Sequence, residues 1–450
     1  MISIRHILEL VLPLMEGIVQ IVQTDRGFYQ VEEDLHRLVQ AASAQFLSMV
    51  MEEIDEQLFE KRARTLKPVG YRCRQVVTAL GEVTLKRRLY RDNHGEAHFL
   101  LDEVLGLEKR QRLSPRLKEM AVELAADLPY RRAAKFLEYL APGVSAMSVW
   151  DALQAVGEQA RAKTESLRQK VYEQGEMAAG EEVTNLRIEA DGVLVKLQHS
   201  EARRGEIKLV VGYEDKEEKG AKRVALRNRR VVAGLVDEER IWEEAGAEFA
   251  QKWALERAER IWIGGDGAGW VKKGAEEFAH AQYQLDKFHL RRRMLEALGY
   301  SESGLIQTWE AIKAGSLPKV QAVLEELVKK ARGKQRKQVK EFQKYLEENW
   351  EGIRQESVSL GAIEGQVYHH VARRMKRLGA RWSRRGADHM ARVQAARANG
   401  ELRQLARQRQ SVSEAKPTPI RVEIAKIQKR TDLEAWLQVH MPMLDGPQEL

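Results

Sequence analysis

Two aspartates stand beside glycines where β-rich segments break off. Asp191 closes the run Leu186-Arg-Ile-Glu-Ala-Asp-Gly192, and Asp266 sits in Ile261-Trp-Ile-Gly-Gly-Asp-Gly267. The runs predict strands over 184–191 and 259–265. Functional groups in open sheets collect where strands end and the backbone leaves its ladder. Flanking glycines permit tight turns and close approach of a ligand. Two carboxylates from adjacent strand ends suit Mg2+, a hard cation that prefers carboxylate oxygen. The plainer alternative is a pair of Asp-Gly turn or cap residues. Two such sites in one sheet weigh against it. A two-metal site needs a third acid, and Glu364 in Gly361-Ala-Ile-Glu-Gly365 is the only one between 357 and 387. It opens a strongly basic helix, where an acid also stabilises the helix dipole. Glu189, two residues before Asp191, projects from the same strand face and stands as a group behind the ligands. Asp286 and His289, spaced i, i+3, read as a helix cap and a first-turn residue. His369 and His370 fit packing better than ligation. A P-loop, a G-x-S-x-G elbow and a G-x-G-x-x-G fingerprint are all missing, which argues against ATP use and serine hydrolysis.

The elements that must hold these groups alternate in type. Residues 1–66 carry apolar stripes at three- and four-residue intervals and predict helices. Segments 74–79 and 82–90, around the Leu80-Gly81 turn, predict a β-hairpin whose second strand carries Lys86, Arg87, Arg88 and Arg91. Three short helices follow from Leu113. Ser114 and Pro115 start the first, Pro129 precedes the second, and Ser145 or Ser148 caps the third after Pro142-Gly143. That outline fits a helix-turn-helix unit, although small three-helix units are common. A charged connecting helix over 159–182 leads to strands at 184–191, 193–198, 207–213 and 229–236. Then come a helix over 239–254, the 259–265 strand, a helix over 269–279, a strand over 281–286 and a helix from 287. This is an α/β pattern: a mixed sheet with helices on its faces. Residues 301–358 return to helix, a basic helix covers 360–378, and the last 40 residues form a tail.

Composition narrows the function classes. The chain has 450 residues, 43% hydrophobic and 32% charged, with a mean hydropathy of −0.50. Dominant disorder is therefore excluded. One cysteine, Cys73, excludes an internal disulfide framework and a Cys-rich zinc site, and it fits a reducing cytoplasm. The closest approach to a membrane span, Ile7 to Val22, is interrupted by Glu9 and Glu16 and lacks a small-residue cleavage site. A cytoplasmic protein is expected. The formal charge is +8, but residues 361–410 hold 12 Lys/Arg against three acids, leaving the rest at −1. Such a basic segment on a neutral body points to a polyanion, with nucleic acid first, or else to a solvated Arg-rich helix.

The order of these features resembles a known family. An acid on the opening strand, a second after the fourth strand and a glutamate on the closing helix is the layout of RNase H-like transposases and integrases. The segments Glu189-Ala-Asp-Gly-Val193, Gly265-Asp-Gly-Ala-Gly-Trp270, Tyr283-Gln-Leu-Asp-Lys-Phe-His-Leu290, Gly361-Ala-Ile-Glu-Gly365 and Trp382-Ser-Arg-Arg-Gly-Ala-Asp388 resemble the ISLre-type insertion-sequence transposases. That bacterial group was long classed as an uncharacterised family and is similar to Mutator-like transposases. Leu80-Gly-Glu-Val83 and Phe99-Leu-Leu-Asp-Glu-Val-Leu-Gly-Leu107 extend the likeness, which runs from about 70 to 400. It implies an RNase H-like catalytic domain in which Asp191, Asp266 and Glu364 bind two Mg2+ ions, with Mn2+ as the alternative. It implies that Asp286-Lys-Phe-His289 supports the site or the DNA ends. Some relatives carry a cysteine-bearing zinc element near the hairpin, which Cys73 alone cannot build.

The expected activity is metal-dependent cleavage at element ends followed by strand transfer, on DNA, by at least a dimer. Lys86, Arg87, Arg88, Arg373, Arg374, Arg377, Arg384 and Arg385 would contact DNA. The expected division is a helical region at 1–70, the hairpin at 71–110 and the DNA-binding unit at 111–160. A connector at 161–182, the first catalytic part at 183–300 and a helical insertion at 301–358 follow. The closing helix and basic segment at 359–410 and a tail at 411–450 complete it. The rival readings are a non-catalytic DNA-binding protein and an RNase H-like nuclease without strand transfer.

Overall fold

Two helices, α1 (Ile4–Gln23) and α2 (Phe28–Lys61), open the chain in the computed structural model, which describes residues 4–23, 26–109, 111–176, 180–220, 224–353, 358–377 and 379–407. They meet the helical expectation over 4–23 and 28–61. A sheet of β1 (Lys67–Thr78), β2 (Gly81–Arg91) and β3 (Ala97–His98) follows, antiparallel in that order. The two-residue turn is closed by the Thr78 hydroxyl, which donates to the Gly81 carbonyl at 2.9 Å and accepts from Leu80 N–H at 3.1 Å. Alternate residues Val83 and Leu85 bury one face with Ala44 of α2, Val76 and Leu107.

After the short α3 (Leu100–Leu105) come α4 (Pro115–Asp127), α5 (Tyr130–Glu138) and α6 (Ala146–Arg168). The anticipated caps form: Leu117 N–H donates to Ser114 Oγ at 3.2 Å and Ser148 N–H to Ser145 Oγ at 3.0 Å. The expected boundary at 160 does not exist. α6 runs on to Arg168 and into a π turn at Gln169–Glu173. Its apolar face, Val149, Leu153 and Val156, joins the same core as the sheet that follows.

That sheet uses β4 (Asn185–Lys196) and β5 (Arg204–Tyr213); a side hairpin of β6 (Asp215–Glu218) and β7 (Val224–Arg227) precedes β8 (Arg230–Gly234). Then α7 (Glu238–Ala250) leads to β9 (Arg260–Gly265), α8 (Gly269–Glu277) to β10 (Ala281–Leu285), and α9 (Lys287–Leu298) follows. The strand order is β10-β9-β4-β5-β8. β4, β5 and β8 are antiparallel neighbours, whereas β9 and β10 run parallel to β4. The mixed α/β architecture expected from the sequence is present. One detail differs: the segments expected as two strands, 184–191 and 193–198, form a single strand. The side hairpin was not anticipated.

Side chains alternate across the sheet and bury both faces. Ile207, Leu209 and Val211 share one core with Ala387, Met390 and Ala391, while Ile188, Ala190 and Val210 share another with Ile241, Trp242 and Phe249 of α7. The expected helical insertion, α10 (Glu302–Lys313), α11 (Leu317–Lys330) and α12 (Gly333–Asn349), forms its own core with α9 through Leu298, Val320, Leu324, Phe342 and Leu346. The closing helix starts as α13 (Ile363–Val367), loosens into a π turn at Tyr368–Ala372 and ends as α14 (Arg373–Met375). α15 (Arg384–Ala398) packs between α6 and the sheet, and α16 (Leu402–Arg407) follows. Gly157 of α6 abuts His389 of α15 with no room for a Cβ. The expected tail at 411–450 lies outside the described residues. Among those described, no helix is long and apolar enough to cross a membrane.

Candidate active site

Asp191 does not end a strand. β4 continues to Lys196, and Asp191 pairs with Leu209 of β5. What stops is the neighbour: the ladder between β4 and β9 closes at Glu189 opposite Gly264. Beyond that point β4 lacks its parallel partner, and the half-buried Asp191 occupies the opening. Its Oδ1 accepts the Gly192 N–H at 2.7 Å. Asp266 follows β9 directly and is half-buried. Its Oδ1 accepts the Ala268 N–H at 2.9 Å, and Gly267 turns with φ +98°. The plain Asp-Gly turn is therefore real, and it aims Asp266 toward the same opening as Asp191.

Three neighbours fix that opening. Asp286 N–H donates to the Gly265 carbonyl at 2.9 Å, and Asp286 Oδ1 caps α9 by accepting Phe288 N–H at 3.0 Å. The Tyr345 hydroxyl of α12 donates to the Asp266 carbonyl at 2.9 Å, and the Asn349 side chain packs on Gly267. Glu189, 1% exposed, accepts N–H groups from Gly361 (2.8 Å), Ala362 (3.1 Å) and Ile363 (3.2 Å), and the Tyr213 hydroxyl. These amides open the helix that carries Glu364, so a carboxylate from β4 satisfies its orphan donors. Gly264 makes this approach feasible: a Cβ there would lie 2.6 Å from Leu360 Cδ1 and 3.3 Å from Glu189 Cγ.

Electrostatics reports the convergence. Burial pushes the Asp191 carboxyl up to about 6, and the charges of Asp266 and Glu364 push it the same way. The Gly192 N–H and His289 act in the opposite direction. Asp266, Glu364 and His289 thus lie near enough to Asp191 for their charges to act on it. Two further buried atoms lack hydrogen-bond partners: Asp286 Oδ2 and His289 Nε2, 3.9 Å apart. Asp191, the carboxylates of Asp266 and Glu364 within electrostatic reach of it, and the unsatisfied Asp286 oxygen are donors of the kind a hard divalent cation prefers.

The basic residues divide into two groups. Arg88, 9% exposed, bonds Asp55 and Glu56, and Arg87 pairs with Asp102. Arg374 is buried, donates its Nε to the Ala125 carbonyl at 2.9 Å, and lies over the Tyr130 and Trp382 rings. The expectation that these three face DNA is corrected: their guanidinium groups are consumed inside the fold. Lys86, Arg377 and Arg384 are exposed. Arg373 is exposed beside Asp127, and Arg385 is exposed 3.4 Å from Glu158. The basic segment is less free than its +9 implies. Arg392 is buried against Glu244 and Asp388, while Arg403 and Arg407 meet Glu119 and Glu123 of α4.

Tyr345 and Asn349 were missed because nothing in the sequence ties an insertion helix to an aspartate some eighty residues earlier. Glu189 was placed behind the ligands, but its helix-anchoring role needs the fold. His370 is held down to about 4 by burial and by Arg229, and contacts Gln366 at 3.0 Å, in keeping with packing. Among the described residues, the group whose acid and imidazole atoms all lie within 4.8 Å of one another is Asp92, Glu96 and His98, and the carboxylates of Asp191, Asp266 and Glu364 are spaced more widely than that. Asp92 already accepts the N–H groups of His94 and Glu96, and its Oδ2 lies 3.2 Å from His98. That accounts for the cluster as a turn.

Residues 24–411 match the uncharacterised protein family UPF0236. A UPF0236 protein of Caldanaerobacter subterraneus subsp. tengcongensis is 30% identical over 369 residues, covering 80% of this chain and 76% of its own. A second from that organism is 28% identical over 80% of this chain and 75% of its own, and its name joins eleven locus designations. A UPF0236 protein of Streptococcus gallolyticus is 25% identical, covering 85% of each chain. The chain belongs to the uncharacterised protein family UPF0236.

Proposed function

We propose that this protein is a DNA transposase of an insertion sequence, built on an RNase H-like catalytic domain. The observation that carries the reading is that Asp266 and Glu364 lie near enough to Asp191, at the point where β9 leaves β4, for their charges to act on it. The sheet supports it: numbered by chain order its strands run 3-2-1-4-5, the first three antiparallel and the last two parallel. This is the order of RNase H-like domains. The eleven loci of one relative add support, since many loci for one protein in one genome is what a mobile element leaves behind.

Asp191, Asp266 and Glu364 would hold the metal, Mg2+ or Mn2+, with Asp286 and His289 at its margin. Bound there, divalent cations supply Lewis acidity and charge neutralisation for in-line displacement at phosphorus. The chain does the positioning. Glu189 fixes the helix that presents Glu364, and Tyr345 holds the Asp266 turn. Arg377 and Arg384 offer exposed charge to backbone phosphates, a salt-dependent and largely sequence-blind contribution. Hydrolysis at an element end breaks a phosphodiester and leaves a 3′-hydroxyl. That hydroxyl then attacks a target phosphate, expelling the target strand's own 3′-oxygen.

End recognition falls to the hairpin and the three-helix unit. One face of α6, from Val149 to Ala160, is buried, which leaves α5, with exposed Arg131, Arg132 and Lys135, and the first turn of α6 for contact. Self-association is supported by the apolar side chains exposed on α1 and the start of α2, among them Leu12, Met15, Val22, Phe28 and Tyr29. The test uses the DNA flanking the gene. Protein and Mg2+ should both cut at inverted repeats and join the ends to a second plasmid. Cutting without joining would indicate a nuclease, and binding alone a non-catalytic protein.

A further inference from the structure

A groove of about 710 Å3 lies between the start of α6 and the segment joining α14 to α15. Its exposed lining combines Arg131, Arg373, Arg377 and Arg381 with Trp150 and Met147. Its floor is rigid. Arg374 lies over the Tyr130 and Trp382 rings at 5.3 and 5.0 Å. Trp382 is bonded to the end of β4: its N–H donates to the Lys196 carbonyl at 3.0 Å, and its carbonyl accepts Gln198 N–H at 2.8 Å. The Tyr130 hydroxyl, also in the lining, is buried and has no hydrogen-bond partner. The one acid present, Asp127, is already occupied by Arg373 and Arg397. Arginine charge beside an exposed indole and thioether is the chemistry that takes a phosphodiester backbone and stacks its bases.

Position sharpens the assignment. β4 and the closing helix both run from the carboxylates to this groove. Glu364 and Arg373 are nine residues apart on that helix, about 14 Å at 1.5 Å per residue. The exposed Trp150 indole suits an unpaired strand, whose bases are free to stack, better than a duplex, whose bases are already paired. We infer that this groove binds an unpaired stretch of DNA strand leading away from the scissile phosphate, stacking a base on Trp150 and holding phosphates with Arg377 and Arg381. The inference rests on the reading of the chain as acting on DNA, but not on the carboxylates.

The test is therefore run in EDTA, where no cleavage takes place. Fluorescence anisotropy compares a blunt duplex with the same duplex carrying a single-stranded extension of about eight nucleotides. Full-length protein should bind the extended DNA about 10-fold more tightly. Trp150→Ala and Arg381→Ala should each bring that ratio close to one, and Trp150→Phe should restore most of it. Lys337→Ala, at an exposed lysine of α12 outside the groove, should keep the full ratio, which separates the groove from a general loss of positive charge. Because Arg381 is exposed, its replacement carries the test even if Trp150→Ala misfolds. A ratio near one in the unmodified protein, or one unchanged in both alanine variants, overturns the proposal.

Discussion

Replacing Asp191 by Asn should stabilise the metal-free protein. A carboxyl raised from its ordinary 3.8 to about 6 in the fold corresponds to about 3 kcal/mol between its two protonation states. Partial exposure and water screening reduce this to about 1–3 kcal/mol. The sign follows from linkage. The native state holds the proton more tightly, so the contribution is fully present below about pH 4 and is lost as pH rises through 6. Ionised Asp191 therefore costs stability at pH 8, and Asn removes that cost while still able to accept the Gly192 N–H. With about 2.1 cal/mol/K per residue over a unit of 410 residues, unfolding entropy is ~0.9 kcal/mol/K. The variant should melt about 1–3 °C higher at pH 8 and match the unmodified protein near pH 4. Mg2+ or Mn2+ should raise the melting temperature of the unmodified protein at pH 8 and have little effect on the variant. A variant that melts lower at pH 8, or higher by the same margin at both pH values, would refute the electrostatic reasoning.

Glu189→Ala leaves three N–H groups at the start of the closing helix, the one of Ile363 buried, without their acceptor. It should cost about 2–5 kcal/mol in urea unfolding and abolish cleavage even where the protein remains folded. Arg88→Ala strands the buried Asp55 and should cost about 3–5 kcal/mol, with no change in the salt dependence of DNA binding. Arg384→Ala should do the reverse, leaving stability within about 0.5 kcal/mol and lowering the salt slope by about one. Tyr345→Phe removes one hydrogen bond to the Asp266 turn. It should lower the cleavage rate several-fold while costing about 1 kcal/mol of stability, read from matched kinetic and unfolding measurements.

The carboxylates were legible because each carries its glycine context in the chain. Ser114 and Ser145 were legible as caps for a similar reason, since capping is decided within three residues. Gly192 misled. A glycine marks a turn or a close approach equally well, and here it sits inside β4 against the Glu206 side chain. The basic segment misled for the opposite reason. Its partners Asp127, Glu119 and Glu244 lie more than a hundred residues away, so charge counting along the chain could not see them. The three helices do not stand apart, because α6 packs at Gly157 on His389 of α15, which lies between it and the sheet. Periodicity gives the stripe but not what covers it.

The central claim is that Asp191, Asp266 and Glu364 act together on one phosphodiester. The most direct measurement is Mg2+-dependent nicking of plasmid DNA carrying the repeats that flank the gene. It compares the unmodified protein with Asp191→Asn, Asp266→Asn and Glu364→Gln, each verified as folded and DNA-binding. The account predicts nicking by the unmodified protein and a loss of at least about 10^3-fold in every variant, on the scale of disabling a catalytic unit. Nicking retained by all three variants at the unmodified rate would contradict it.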